Sequence, residues 1–164
     1  MSSDEGWSTR ADGPGSGGAG ASVGSGGEPF PCMCANLLFA ARAVTRLYER
    51  HLAELSLTIT QYTLLRTLEY AGRLRQNELA HVLNADPTTL SRTLRPLRAR
   101  GLVASGVGPD KRERLWSLTA AGRKLLAGAL SRWAAAQAQL AGGFNPEQWE
   151  TLARLLMKAG KSAA

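Results

Sequence analysis

Residues 86–103 read DPTTLSRTLRPLRARGLV, with leucines at 90, 94 and 97 repeating at helical spacing and polar residues between them. That spacing predicts a helix with one buried stripe and one polar face carrying Thr88, Thr89, Ser91, Arg92 and Arg95, with Arg98 and Arg100 near its end. Asp86 followed by Pro87 is an N-cap and first-turn pair. Gly101 fits a left-handed stop.

The same patterning predicts helices on both sides. A first runs from about Met33 to His51, with Leu37, Leu38, Ala41, Val44, Leu47, Tyr48 and Leu52 on its apolar side. A second starts at TITQ, where Thr58 caps and Gln61 reaches back, and ends near Gly72. RQNELAHVL predicts a short third helix with Leu79, Val82 and Leu83 turned inward, joined by a tight turn at Asn84–Asp86 to the arginine-bearing fourth. After Gly101 the period changes to two. Leu102, Ala104 and Gly106 alternate with Val103, Ser105 and Val107, GPDKR interrupts, and Arg114, Trp116 and Leu118 alternate with Leu115 and Ser117, which predicts a hairpin. Thr119 caps a long fifth helix bearing Leu125, Leu126, Leu130, Trp133 and Leu140. NPEQ, at Asn145 to Gln148, caps a last one bearing Trp149, Leu152, Leu155 and Leu156.

Helix, short turn, helix and hairpin make a winged helix-turn-helix, so the expected class is mainly α with a small β-hairpin wing. The major groove admits one helix, whose N-terminus meets base edges and phosphates. Thr88 and Thr89 suit either. Arg92, one turn on, reaches guanine O6 and N7 or a phosphate, and Arg95 lies where a backbone contact is expected. Lys111, Arg112 and Arg114 in the hairpin suit a narrow minor groove or flanking phosphates.

Charge sharpens the picture. The chain's formal +7 includes a Gly/Ser-rich tail over residues 1–28 with a net charge of −3, so the residues from Pro29 onward carry +10. The tail has no apolar periodicity and is expected to be disordered, and it lacks the hydrophobic stretch of a secretory leader. A basic domain favours nucleic acid or an anionic membrane. No apolar run is long enough to span a bilayer, and DNA is therefore the expected partner. The first, fifth and sixth helices also carry more apolar surface than a small winged helix covers, which implies a partner chain.

The run from LTITQ to AAGRKLL resembles the core of the MarR family of bacterial transcriptional regulators. The pattern is carried by LT..Q, ELA..L, TTLSR.L..L...GLV and D.R.R...LT..G, and it extends over roughly residues 35–160. The resemblance implies a homodimer with interlocked dimerisation helices and one winged helix per subunit on a palindromic double-stranded operator. Residues 29–57 would then be an N-terminal dimerisation helix, 58–118 the DNA-binding region and 119–164 the C-terminal dimerisation helices. It places Thr88, Thr89, Ser91, Arg92 and Arg95 on the recognition helix, and Asp110, Arg112 and Arg114 in the wing motif. Asp110 would orient the wing through Arg112 or a backbone amide. Two positions depart from the pattern: the third helix starts at Arg75 instead of a capping Thr or Ser, and Ala104 and Ser105 follow GLV instead of a basic residue.

Family members commonly bind small aromatic acids between the dimer helices and the winged helix. Tyr48, His51 and Tyr62 either line such a cleft or pack in the core. The only cysteines, Cys32 and Cys34, flank Met33 at the start of the first helix. Their spacing is too close for an ordinary fold-stapling disulfide, which points to the cytoplasm. Exposed N–H groups at a helix start favour thiolate chemistry, and two sulfurs one residue apart can share a thiophilic ion such as Hg(II), Cu(I) or As(III). A disulfide between them would close a small, easily reduced ring. Two small packed hydrophobes is the competing reading. No cofactor is required by any of these.

An enzyme lacks support: there is no nucleophile–base pair, phosphate loop or metal set, and His51 and His81 stand isolated. A thiol-based soft-metal carrier would not need a basic winged helix. A winged-helix protein-interaction module without DNA binding would not need the cationic face.

Overall fold

The computed structural model describes residues 31–108 and 114–163. Along the chain come α1 (Met33–Leu52), a single 3-10 turn (Ala53–Leu55), α2 (Ile59–Ala71), β1 (Arg73–Arg75), α3 (Gln76–Val82) and α4 (Pro87–Ala99). There follow β2 (Val103–Val107), β3 (Arg114–Leu118), α5 (Ala120–Ala141) and α6 (Pro146–Ser162). The tail over residues 1–28 lies outside the described residues. Among those described, no helix is long and apolar enough to cross a membrane.

The helix starts follow from local chemistry. Thr58 Oγ1 accepts the Gln61 N–H while Gln61 Oε1 accepts the Thr58 N–H, both at 3.2 Å. Asn145 and Gln148 repeat the arrangement at α6, at 2.8 and 3.0 Å. Each box satisfies two donors that a helix start leaves without partners. At α3, Arg75 has no acceptor to offer, so only the reciprocal half forms: its backbone N–H donates to Glu78 Oε2 at 2.7 Å.

The core of the lobe formed by α2, α3, α4 and the sheet is built on leucine. Leu64, Leu65 and Leu68 of α2, Leu79 of α3 and Leu90, Leu94 and Leu97 of α4 are essentially inaccessible, and Trp116 and Leu118 of β3 close the cluster. Val82 departs from expectation. It is 60 % exposed, and Ala80 is buried on α3 instead. In so short a helix, only one narrow face reaches the core.

The wing belongs to a three-stranded antiparallel sheet ordered β1-β3-β2. The β2–β3 hairpin matches the alternation in sequence, with Val103 opposite Leu118 and Ser105 opposite Trp116. The third strand is an addition: Arg73, Leu74 and Arg75 pair with Ser117, Trp116 and Leu115.

The end of α4 is locked. Gly101 is left-handed at φ 69°. Its N–H donates to Arg98 O at 2.9 Å and the Leu102 N–H donates to Leu97 O at 2.9 Å, the paired bonds of a Schellman stop. Thr119, the cap of α5, accepts the Gly122 N–H at 3.0 Å and donates its hydroxyl to Gly101 O at 2.7 Å. Gly122 touches this corner so closely that a Cβ there would lie 2.1 Å from Leu102 O.

The outer helices differ from the lobe. No residue of α6 is buried, although Trp149, Leu152, Leu155 and Leu156 share one face, with Leu155 54 % exposed. Leu37 and Leu38 of α1 are likewise open. An apolar groove of about 570 Å³ runs between α1, the end of α5 and α6, lined by Leu37, Val44, Leu140, Phe144, Trp149 and Leu152 among others.

Two glycines of α5 should respond oppositely to the same change. Gly122→Ala meets the Leu102 carbonyl and should lower stability by about 1–3 kcal/mol. Gly128→Ala, with nothing within 4 Å of its added Cβ, should raise it by roughly 0.5–1 kcal/mol through helix propensity. Chemical unfolding of the two variants checks this; equal effects would contradict the packing described for the corner.

Candidate nucleic-acid interface

The front of α4 is organised by one carboxylate. Asp86 Oδ1 accepts the backbone N–H groups of Thr88 and Thr89, each at 2.9 Å, and Oδ2 accepts the Thr89 hydroxyl at 2.5 Å. The Thr89 hydroxyl bond, followed by the backbone bonds, holds the Asp86 carboxyl below its ordinary value. A negative charge here also complements the positive end of the helix.

These bonds divide the hydroxyls that sequence alone treats alike. Thr89 donates to the cap. Ser91 Oγ donates to Pro87 O at 2.8 Å and accepts from Gln76 Nε2 at 3.2 Å, tying α3 to α4. Thr93 donates to Thr89 O at 3.0 Å. Thr88 is exposed at the N-terminal end.

Arg92, Arg95 and Arg98 are exposed on the side away from Leu90, Leu94 and Leu97. Among the described residues, none of the three forms an ion pair. Pro96, inside the helix, has no N–H for the Arg92 carbonyl. A cleft of about 450 Å³ lies beside this face, between Gln76, Ser91, Arg95, Arg98 and Trp116.

Arg100 does not belong to the open face, although its spacing grouped it there. Its Nη1 donates to Ser56 O at 2.6 Å and its Nη2 to Leu55 O at 3.0 Å. Arg73, which the sequence pattern did not single out, joins the basic surface instead. Its guanidinium crosses the sheet to Gly106, where an added Cβ would stand 3.1 Å from Nη2. A basic residue alternating with Leu74 directly after Gly72 is the signal that marks this strand. Arg114 is exposed at the start of β3, opposite Val107. Asp110, Lys111 and Arg112 lie outside the described residues.

The remaining candidates fall elsewhere. Cys32 occupies the N-cap position of α1 without a side-chain cap bond and Cys34 sits in its first turn; both are free thiols, exposed in the single chain. Among the described residues, no group of three or more His, Cys, Asp or Glu side chains could hold a metal ion. Tyr48, His51 and Tyr62 stand where α1, α2 and α5 meet. Tyr48 is buried and donates its hydroxyl to the Gln137 carbonyl of α5. Tyr62, also buried, stacks on Trp133 with ring centroids 6.0 Å apart. Burial pushes both phenols up. His51 Nε2 is 2.9 Å from Gln139 Oε1.

The comparisons with known proteins agree with this architecture. The model of the MarR family matches residues 57–112, from the approach to α2 into the wing. The Bacillus subtilis (strain 168) HTH-type transcriptional regulator YwoH is 32% identical over 80 residues, which span 49% of this chain and 58% of that relative, under two thirds of its length. The M. tuberculosis transcriptional regulator MosR, solved in complex with DNA, superposes with a TM-score of 0.74 at 32% identity. That match covers 80% of this chain and 96% of MosR. A mutant E. coli MarR complexed with operator DNA gives a TM-score of 0.73 at 26% identity, over 77% of this chain and 92% of that one. The family match falls on the helix-turn-helix and wing, and the fold match extends through the outer helices. The chain belongs to the MarR family of DNA-binding transcriptional regulators.

Proposed function

We propose that the protein is a homodimeric repressor that binds a palindromic operator and releases it when Cys32 and Cys34 are oxidised or take up a thiophilic ion. The observation that carries the DNA reading is the face of α4 on which Arg92, Arg95 and Arg98 project, without ion-pair partners among the described residues, while the opposite leucines are buried. Cations left unpaired along one helix face are electrostatically complementary to a phosphate-lined groove. MosR and MarR, similar in fold, have both been solved with DNA.

In this reading α4 enters the major groove N-terminus first. Thr88 meets a base edge or phosphate, and Arg92 takes guanine O6 and N7 or a phosphate. Arg95 holds the backbone, and Arg114 serves the wing together with Lys111 and Arg112. Thr89 and Ser91 contribute by fixing the helix rather than by offering free hydroxyls. The second subunit is proposed because no residue of α6 is fully buried and its apolar face lines an open groove with α1. A stable fold does not leave that much contiguous apolar surface in water. Twofold pairing sets two recognition helices about one DNA turn apart, hence a palindrome. A dimer seated on a promoter blocks access to it, which makes repression the expected sense.

The switch is argued from position. Both thiols are exposed at the start of α1, and α1 lines the groove through Leu37 and Val44. Peroxide would take two electrons from the pair, joining the sulfurs and leaving as water; a soft metal ion would bridge them with loss of two protons. Either distorts the first turn of α1, and so the subunit contact that spaces the recognition helices.

Binding to duplexes selected by the protein from a random pool should weaken steeply with salt as counterions are displaced. Arg92→Ala should cost about 1–3 kcal/mol of specific binding, measured by fluorescence anisotropy. A complex insensitive to salt and to Arg92→Ala would overturn the DNA reading.

The switch has its own check. Peroxide or Hg(II) should release DNA from the wild type but not from the double variant Cys32→Ser/Cys34→Ser, and a thiol reductant should restore binding after peroxide. Equal behaviour of the two proteins would remove the cysteines from the mechanism.

A further inference from the structure

We infer that the corner Arg100–Gly101–Leu102 at the end of α4 fixes the recognition helix to both long helices, with Arg100 the residue that positions it for a given operator spacing. The inference rests on the dimeric DNA-binding reading above and adds a residue to it.

Two independent attachments meet at this corner. On one side, Arg100 spreads its guanidinium over two successive carbonyls, Ser56 O at 2.6 Å and Leu55 O at 3.0 Å. Those carbonyls belong to the joint where α1 turns into α2. The joint passes through Ser56 in the left-handed region, φ 50° and ψ 45°. A non-glycine residue holds that conformation only where its surroundings over-determine it. The Ser56 N–H bond to Ala53 O at 2.8 Å and the Arg100 fork do so here. On the other side, the Thr119 hydroxyl bonds to Gly101 O and Gly122 packs against Leu102 O, so the start of α5 is fixed to the same three residues.

The consequence is mechanical. α1 and α5 leave this corner toward the apolar groove proposed as the subunit contact, so α4 takes its orientation from them at its C-terminal end. The Glu54–Arg132 pair, at 2.5 Å, also joins the joint to α5, but Glu54 is 73 % exposed and such surface pairs contribute little. Arg100 makes charge-assisted bonds to two carbonyls with a rigid planar group, a geometry that lysine does not reproduce. Since both terminal nitrogens are spent on carbonyls, Arg100 is not counted among the phosphate contacts.

The test compares wild type, Arg100→Gln and Arg100→Lys on a duplex selected by the wild type, and on versions with one base pair inserted or removed between the half-sites. One base pair moves a half-site by about 3.4 Å and turns it about the helix axis. The wild type should lose affinity sharply on either altered duplex. Arg100→Gln should lose about tenfold on the selected duplex, the size expected for a lost charge-assisted fork. It should also discriminate less among the three spacings while keeping the wild-type salt slope. Arg100→Lys should resemble Arg100→Gln, and it carries the comparison should the glutamine variant not fold. Wild-type spacing selectivity in both variants overturns the proposal. A salt slope reduced by about one in Arg100→Gln, restored in Arg100→Lys, also overturns it, because Arg100 would then be a phosphate contact. Sedimentation of the wild type separates the underlying reading: a monomer on a single half-site overturns dimeric binding and the proposal together. A dimer indifferent to Arg100 overturns the proposal alone.

Discussion

Leu90, Leu94 and Leu97 lie at helical spacing on α4, are almost wholly excluded from water, and share one core with α2, α3 and β3. The orientation of the functional face depends on that stripe. Burying one leucine is worth about 1.5–3 kcal/mol, against about 0–1 kcal/mol for an exposed ion pair. The arginines therefore do not choose where they point. The leucines turn inward, and Arg92, Arg95 and Arg98 are presented outward together. Asp86 at one end and the Gly101 stop at the other keep the helix in one register, so burial of the stripe becomes a defined arrangement of cations.

The lobe around this helix closes its core within one chain, whereas α6 has no buried residue. Its leucines, the sheet and the Tyr62–Trp133 stack close a core without help. α6 has the caps of an independent helix and no buried residue, with Leu155 and Leu156 exposed on its apolar face. This contrast separates two tasks in one small protein. One part presents the cationic face of α4, and the other leaves the exposed apolar side chains on which the dimer proposal rests. The two meet at the end of α4, where the long helices begin and end.

Legibility in the sequence followed the range of the interaction involved. Thr58–Gln61, Asn145–Gln148, Asp86–Pro87 and Gly101 were readable because each cap is settled within six residues. The long apolar periodicities were readable for the same reason. β1 was not: three residues make no measurable period, and Arg73–Arg75 is a strand only because β3 lies beside it. Val82 misled because a seven-residue helix reaches the core on a narrower face than its apolar residues occupy. The site was legible as a face but not as a set of free groups. Thr89, Ser91 and Arg100 have the right chemistry and spacing for DNA, yet their polar atoms bond to Asp86, to Pro87 and Gln76, and to the Leu55–Ser56 joint. Whether an exposed donor is already engaged depends on partners up to 45 residues away.

The central claim is that the polar face of α4 lies in the major groove twice per operator. Methylation interference at guanine N7 tests it most directly, because N7 faces only the major groove. On a duplex selected by the protein, interfering guanines should fall in two clusters on one face, about one helical turn apart and related by the palindrome. A single cluster, or a bound complex indifferent to N7 methylation, would contradict it.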